Sequence, residues 1–254
     1  MKNIKTAVAL FALLGLSVGA VALATHSWGG YHWARTANPF TLKLGDNLST
    51  AWDPFLAAAS SDWSVSTVLD TEVVPGSTTA KRCKPTAGRV EVCNSKYGRN
   101  GWLGIAGIYV NGAHITQGYV KMNDTYFSTA YYNTPEWKQL VLCQEIGHTF
   151  GLDHQDEDFG NTPLGTCMDY SSDPVPNQHP NEHDYDMLES IYAHLDGSTT
   201  LSATTISGNP SDIDTNDSSE WGRSIRTSKD GKASLYVREF AGGEKLFTFV
   251  FWAK

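Results

Sequence analysis

Residues 143–154 read CQEIGHTFGLDH, and the prediction of the fold starts from this segment. Its first part belongs to a predicted helix. The helix is expected to begin at Thr134-Pro135, because Thr is a favoured N-cap and Pro is favoured at the first helical position. We expect this helix to extend to about Phe150 and to stop at Gly151, since glycine readily adopts the left-handed conformation that ends helices.

One face of this helix is largely apolar and should point into the protein. The residues that share it by helical spacing are Trp137, Leu140, Val141, Gln144 and His148. Gln144 and His148 are then polar groups on a buried stripe, where a group without a partner costs about 1–3 kcal/mol. A metal ion is one such partner. Glu145 lies beside the stripe, within reach of a metal-bound water, and the turn at Gly151 can return His154 to the same ion. Three protein ligands and one water are typical of a catalytic zinc site.

The pattern E-x-x-H-x-x-G-x-x-H over residues 145–154 resembles the extended zinc motif HExxHxxGxxH of the metzincin metallopeptidases. Met168, fourteen residues after His154, matches the methionine turn of that family. Tyr170 matches a tyrosine that the astacin-like and serralysin-like branches carry near the metal. The resemblance implies an α+β fold: a metzincin-like twisted mixed sheet with an active-site helix and a C-terminal helix, followed here by a small β-rich tail.

The resemblance also implies an activity, that of a zinc-dependent metalloendopeptidase with one catalytic Zn²⁺ held by Gln144, His148 and His154. In such an enzyme zinc polarises the scissile carbonyl and lowers the pKa of its bound water. Glu145 would then act as general base and Tyr170 would hydrogen-bond the oxyanion. The family binds its substrate along an edge strand, and we expect residues 113–122 to form that edge.

The chain departs from the family at Gln144, where the first zinc histidine would stand. An amide oxygen is a harder and weaker zinc donor than an imidazole nitrogen. Gln144 can ligate through this oxygen, and we retain this interpretation because the other motif residues are all present: Glu145, His148, Gly151, His154, Met168 and Tyr170. Alternatively, another histidine takes its place, with His179, His183 and His194 as candidates. In the third alternative the site holds no metal and the chain is a catalytically inactive peptide-binding protein.

The four cysteines, Cys83, Cys93, Cys143 and Cys167, allow three disulfide pairings. A Cys83–Cys93 bridge would close a local hairpin. A Cys143–Cys167 bridge would tie the helix to the segment that holds Met168. Disulfides are typical of exported proteins, so these pairings agree with an oxidising compartment.

The chain divides into four predicted segments. Residues 1–24 have a short basic start, an apolar stretch and a small-residue cleavage site, which together indicate a signal peptide. Residues 25–196 form the metallopeptidase-like domain, residues 197–220 a Ser/Thr/Asn-rich linker, and residues 221–254 a β-hairpin-like segment. We therefore expect a secreted or periplasmic protein without membrane attachment after signal cleavage. A secreted structural or adhesion protein, dominated by the C-terminal part, is the remaining alternative.

Composition limits the partners. The chain has 19 basic and 27 acidic residues, a formal net charge of −8 and no run of Lys or Arg, which disfavours nucleic-acid binding. The expected partner is a peptide or protein substrate. The acidic run at residues 156–158 is typical of a solvated loop, and it lacks the spacing of a Ca²⁺-binding loop. His26, His32 and His114 show no partner pattern.

Local patterns predict further elements. Residues 75–100 are expected to form an irregular excursion, rich in Gly, Pro and basic residues. Asn111-Gly112 is a strong signal for a hairpin turn. The second long helix should follow Asn181, with Leu195 on its apolar face. The other predicted elements are strands at 40–45, 65–74, 101–110 and 113–122 and a helix at 49–61.

Overall fold

The computed structural model describes residues 26–201 and 213–253 of the chain. The predicted signal peptide and the middle of the predicted linker lie outside these residues. The described part is an α+β fold in which nine strands form one mixed sheet and the helices pack on it, which confirms the predicted class.

The elements are defined as follows. The strands are β1 (His32–Trp33), β2 (Phe40–Asn47), β3 (Leu69–Pro75), β4 (Arg89–Ser95), β5 (Trp102–Asn111), β6 (His114–Asn123), β7 (Arg223–Thr227), β8 (Ala233–Glu239) and β9 (Lys245–Trp252). The α-helices are α1 (Asp53–Trp63), α2 (Asp124–Phe127), α3 (Pro135–His148) and α4 (Glu182–Ile191), and Ser218–Glu220 forms a 3₁₀ turn.

The strands follow the order β3-β2-β4-β6-β5-β9-β8-β7 across the sheet. Strands β2, β3, β4 and β6 are parallel, whereas β5, β9, β8 and β7 pair antiparallel. The short β1 pairs with the first two residues of β6. The main core lies between one face of the sheet and helices α1, α3 and α4. A smaller cluster on the opposite face contains the Cys83–Cys93 disulfide and Trp221.

Helix α3 forms as its end signals predict. The side chain of Thr134 accepts a hydrogen bond of 3.3 Å from the backbone N–H of Trp137. The helix ends at His148, slightly earlier than predicted, and Gly151 then adopts a positive φ of 98°. A Cβ at Gly151 would lie 2.3 Å from the carbonyl oxygen of Tyr31, so both conformation and space require glycine here.

Two local predictions need correction. Strand β4 lies inside the segment that we expected to be irregular, with Val90 and Val92 buried between β2 and β6. Only two alternating apolar residues mark it, so its parallel neighbours rather than local sequence decide its structure. Helix α4 stops at Ile191, and Leu195 beyond it is exposed rather than part of an apolar helical face.

The prediction that residues 113–122 form a sheet edge is wrong. The hairpin of β5 and β6 turns at Asn111-Gly112 as expected, but β6 also pairs with β4 along its second half. Strand β6 is therefore internal. The outer strand of the part of the sheet that precedes the linker is β5, and β9 pairs with its free side.

The C-terminal segment is continuous with the rest of the sheet. Strands β7, β8 and β9 form an antiparallel meander, and β9 joins it to β5. No helix within residues 26–201 or 213–253 is long and apolar enough to cross a bilayer. The two disulfides, Cys83–Cys93 and Cys143–Cys167, are consistent with an extracytoplasmic protein.

Candidate active site

Helix α3 and the turn after it bring two imidazoles together. His148 is in the last turn of the helix and His154 follows the reversal at Gly151. The Nε2 atoms of the two rings are 3.1 Å apart. Two nitrogen ligands of one tetrahedral zinc are separated by about 3.3–3.4 Å, because each Zn–N bond is about 2.0–2.1 Å long. The pair therefore has the spacing that a shared zinc requires.

The protonation of His148 is set by its second nitrogen. Its Nδ1 is 2.9 Å from the carbonyl oxygen of Leu152, and a carbonyl only accepts, so Nδ1 carries the proton. Burial and the neighbouring His154 hold the pKa of His148 well below its usual range, which favours the neutral ring. Its Nε2 lone pair then faces Nε2 of His154. A proton or a metal ion must lie between two such nitrogens.

Gln144 lies one turn before His148 and lines the same narrow cavity. Its amide nitrogen donates to the carbonyl oxygen of Cys167 at 2.8 Å and to that of Asp169 at 3.3 Å. These bonds fix the amide group and use only its N–H donors. The Oε1 atom is thus the remaining donor atom that Gln144 can offer to a metal.

The other candidate histidines take part in different contacts. His179 bonds to Asp62 at 2.7 Å through Nδ1, and the ring of His183 stacks on that of His26 at 4.8 Å. His194 contacts His32. In the part of the chain that the structure describes, none of the three replaces Gln144.

The segment around Met168 lies directly against α3. A Cβ at Gly147 would be 2.5 Å from Sδ of Met168, so the sulfur packs on the helix backbone next to His148. The Cys143–Cys167 disulfide joins the helix and this segment covalently. The bridge and the Gln144 hydrogen bond to Cys167 therefore act on the same junction.

Glu145 is almost fully buried and adjoins this cavity. Its Oε2 has no hydrogen-bond partner among the described residues. Burial raises the pKa of this carboxyl well above its usual range, and the backbone N–H of Ala106 offsets only part of that effect. Strand β5 comes close to the carboxyl because Gly104 has no side chain. A Cβ there would lie 2.8 Å from Oε1 of Glu145.

Tyr170 packs against His154 and lines the same cavity. Its ring centroid is 5.1 Å from that of His154, and the side chain is completely buried. Its hydroxyl makes no hydrogen bond of normal geometry with the described residues. Burial raises the pKa of Tyr170 well above its usual range, so the hydroxyl stays protonated and can donate.

Strand β9 covers these groups. The ring of Phe249 stacks on His148 with a centroid distance of 4.3 Å and an interplanar angle of 9°. Phe251 packs on Tyr170 with centroids 4.7 Å apart. The cavity is lined by Gln144, Glu145, His148, His154 and Tyr170 on the body side and by Phe249, Val250 and Phe251 of β9. Apolar side chains of the chain itself therefore close the site.

The backbone of β9 runs antiparallel along β5 beside the site. Ala106 pairs with Phe249 and Gly104 with Phe251, which places β9 directly beside the part of β5 that approaches Glu145. An extended segment on an open sheet edge is the arrangement that proteins use to bind peptides by strand addition.

Arg226 of β7 holds the same C-terminal segment against the histidine loop. Its two terminal nitrogens reach the two carboxylate oxygens of Asp153 at 2.6 and 2.5 Å, and its Nε is 3.1 Å from Glu157. Asp153 directly precedes His154. This bidentate pair links the cover to the loop that supplies the second imidazole.

The acidic run at residues 156–158 does not converge on a shared point. Asp156 accepts from the backbone N–H of Asp158, and Asp158 accepts from that of Gly160. Glu157 instead pairs with Arg226. The contacts of these carboxylates are those of a turn and a salt bridge.

Three functional features were missed from the sequence. Phe249, Phe251 and Arg226 lie in the segment that was predicted only as β-hairpin-like, and no local pattern assigned them a role. His32 and His114, for which no partner pattern was found, meet at Asp196. Their separations of 164 and 82 residues from Asp196 leave no local signal.

Neither the comparison with protein-family models nor the comparison with curated proteins finds a match for this chain.

Proposed function

We propose that the chain is an exported zinc-dependent metalloendopeptidase of metzincin type whose cleft is closed by its own strand β9. The observation that carries the proposal is the pair of Nε2 atoms of His148 and His154, 3.1 Å apart. Beside it on α3 lie the buried carboxyl of Glu145 and the amide of Gln144. The motif over residues 145–154 supports the same function.

The groups that would hold zinc are Nε2 of His148, Nε2 of His154 and Oε1 of Gln144. When bound, the ion supplies Lewis-acid polarisation of the scissile carbonyl and a lower pKa for water. Gln144 is suited to its position because two carbonyl oxygens hold its amide nitrogen. The Cys143–Cys167 bridge keeps the carbonyl of Cys167 in place. The fixed geometry of the Gln144 amide then offsets the weaker affinity of an amide oxygen for zinc.

Glu145 carries the proton transfers. Its Oε2 has no partner, so it is available to take a proton from the attacking water and to deliver it to the leaving amine. Burial raises the pKa of the carboxyl, which makes it a better proton acceptor than an exposed glutamate. The hydroxyl of Tyr170 donates to the oxyanion that develops on the scissile carbonyl.

Substrate binding follows from the position of β9. The free side of β5 accepts an extended antiparallel strand beside Glu145, and β9 fills that place here. A peptide substrate takes the same place once β9 leaves. The ring of Phe249 over His148 blocks the site until then. We therefore assign β7–β9 the role of an inhibitory segment.

Zinc binding tests the proposed function. His154→Ala should lower the zinc content of the purified chain by one equivalent, with His179→Ala, which changes an exposed histidine away from the site, as the matched control. Gln144→His should bind zinc at least about 10-fold more tightly, because imidazole is the better donor. Zinc content is measured by elemental analysis after dialysis, and affinity by competition with a chromophoric chelator. Equal zinc content in the His154→Ala and His179→Ala variants would instead favour an inactive peptide-binding protein.

Arg226 offers a milder test of the inhibitory segment. Arg226→Ala removes the bidentate pair with Asp153 and should raise peptide hydrolysis by the intact chain a few-fold to about 10-fold, since one such pair at a half-exposed position contributes modestly. Arg223→Ala on the same strand is exposed and serves as the control. Initial rates with a quenched fluorescent peptide give the measurement. Equal rates for both variants would show that this salt bridge does not help to hold the cover.

A further inference from the structure

We propose a second metal site, separate from the candidate active site, in which His32, His114, His194 and Asp196 bind one structural zinc ion. Three segments supply these residues: β1, the first residue of β6, and the chain after α4. His32 and His114 are direct register partners in the pairing of β1 with β6.

Oδ1 of Asp196 faces all three imidazoles, and His32, His114 and Asp196 form the compact core of the cluster. Oδ1 of Asp196 is 3.4 Å from Nε2 of His32, 3.2 Å from Nε2 of His114 and 3.7 Å from Nε2 of His194. Nε2 of His194 is in turn 3.2 Å from Nε2 of His32. The ligand atoms of His32, His114 and Asp196 all lie within 4.8 Å of one another.

Four of these separations are close to the edges of a metal tetrahedron, and the exposed ring of His194 would have to turn towards His114 to complete it. Ligand atoms around one tetrahedral zinc are about 3.3–3.4 Å apart, given Zn–N and Zn–O bonds of about 2.0–2.1 Å. Four of the edges measure 3.2, 3.2, 3.4 and 3.7 Å. Three imidazole nitrogens and one carboxylate oxygen are a donor set that zinc favours.

The hydrogen bonds around the cluster leave its inner atoms in need of a cation. Nδ1 of His32 is 2.9 Å from the carbonyl oxygen of Gly30, which only accepts, so Nδ1 donates there and Nε2 is the ring nitrogen that is directed at the cluster. That nitrogen faces both Nε2 of His194 and the carboxylate of Asp196. A single proton on one ring would satisfy one of these contacts, whereas a metal ion satisfies all of them.

The surroundings orient the carboxylate for this role. Nη1 of Arg35 donates to Oδ2 of Asp196 at 2.8 Å, and the backbone N–H of Arg35 donates to the same oxygen at 3.2 Å. Oδ1 is thereby left available to bind the ion together with the three imidazoles. An outer partner that holds a ligating carboxylate in this way is typical of metal sites.

Four protein ligands leave no position for water, so the site would be structural rather than catalytic. The ion would tie β1 and the β5–β6 hairpin to the segment that follows α4. That segment also bonds to the N-terminal part of the chain, with the N–H of Thr200 donating to Ala34 at 3.0 Å. The ion would thus hold the chain in place just before the part that leads to the inhibitory segment.

Metal titration of the full chain tests this site. His114→Ala and His194→Ala change side chains that are 37% and 55% exposed, so both variants should fold, and circular dichroism checks this. Each should lose one zinc equivalent, or bind that equivalent at least about 10-fold more weakly, whereas His179→Ala should retain it. In the His154→Ala background, a chelator should lower the Tm, and the decrease should be much smaller when His194→Ala is added.

The His154→Ala variant separates this site from the candidate active site. The double variant His154→Ala/His194→Ala should lose one more zinc equivalent than either single variant, because the two sites share no ligand. Cobalt substitution in the His154→Ala background should give the visible absorption of a tetrahedral ion, which His194→Ala should remove. The proposal would be overturned if His114→Ala and His194→Ala bind as much zinc as His179→Ala and bind it as tightly.

Discussion

Cutting the chain within residues 202–212 and diluting it is expected to raise peptide hydrolysis by at least about 100-fold. In the intact chain β9 is tethered, so its effective concentration at β5 is in the millimolar range, as for other short linked segments. After a cut, binding of the fragment becomes bimolecular, and dilution to nanomolar concentration favours its release. A recognition sequence for a specific protease, inserted in this segment, allows the cut in the otherwise complete chain.

The contacts of β9 explain why the effect should be large. Phe249 stacks on His148 and Phe251 on Tyr170, so two of the proposed functional groups are inaccessible while β9 is bound. The strand also occupies the edge of β5 that a substrate needs. Partial opening would therefore not suffice, because the same strand blocks both the metal ligands and the peptide-binding edge.

Two controls make this result specific. A synthetic peptide that spans residues 221–254, added in excess, should bind β5 again and reverse the activation. The same peptide with Phe249→Ser should inhibit much less. If the cut and diluted chain, shown to contain zinc, hydrolyses peptides no faster than the intact chain, β9 is not an inhibitory segment.

Glu145→Ala, introduced into the cut chain, is expected to lower kcat/KM by about 10²–10⁴-fold, the range that a general acid–base residue contributes. Zinc content should not change, because Glu145 is not a proposed ligand. The Tm should fall only modestly, since the carboxyl has one backbone partner, the N–H of Ala106, and its Oε2 has none.

Glu145→Gln is the matched variant, because it preserves shape while removing the basic oxygen. It should be nearly as inactive as Glu145→Ala, which separates lost proton transfer from an altered cavity. Rates are measured with a quenched fluorescent peptide on both cut variants. Hydrolysis within about 10-fold of the wild-type rate would contradict the role of Glu145 as general base.

The local part of the site could be predicted from the sequence. Thr134 and Gly151 mark the ends of a helical region, and helical spacing places Gln144 and His148 beside the same cavity, although residues 139–148 are buried on all sides of the helix. These signals act over a few residues, where helical geometry relates sequence positions directly to positions in space. The Asn111-Gly112 turn was predictable for the same reason.

The remaining features depend on contacts that are distant in sequence. Residues 113–122 were expected at the sheet edge from the family resemblance, yet parallel pairing with β4 places them inside the sheet. The position of β9 on β5 depends on pairing across the whole length of the body. The residues of the cluster around Asp196 show no characteristic spacing in the sequence, because β1, β6 and the chain after α4 meet only in the folded protein.

The order of the strands along the chain determines when the proposed inhibitory segment is synthesised. Strand β9 follows every other strand and helix, so the ribosome adds it seconds after His154, at about 5–20 residues per second. Before Phe249 is synthesised, β5 lacks the strand that pairs with its free side and His148 lacks the ring that stacks on it. A metal ion would therefore reach the proposed zinc site more easily before β9 pairs with β5 than afterwards.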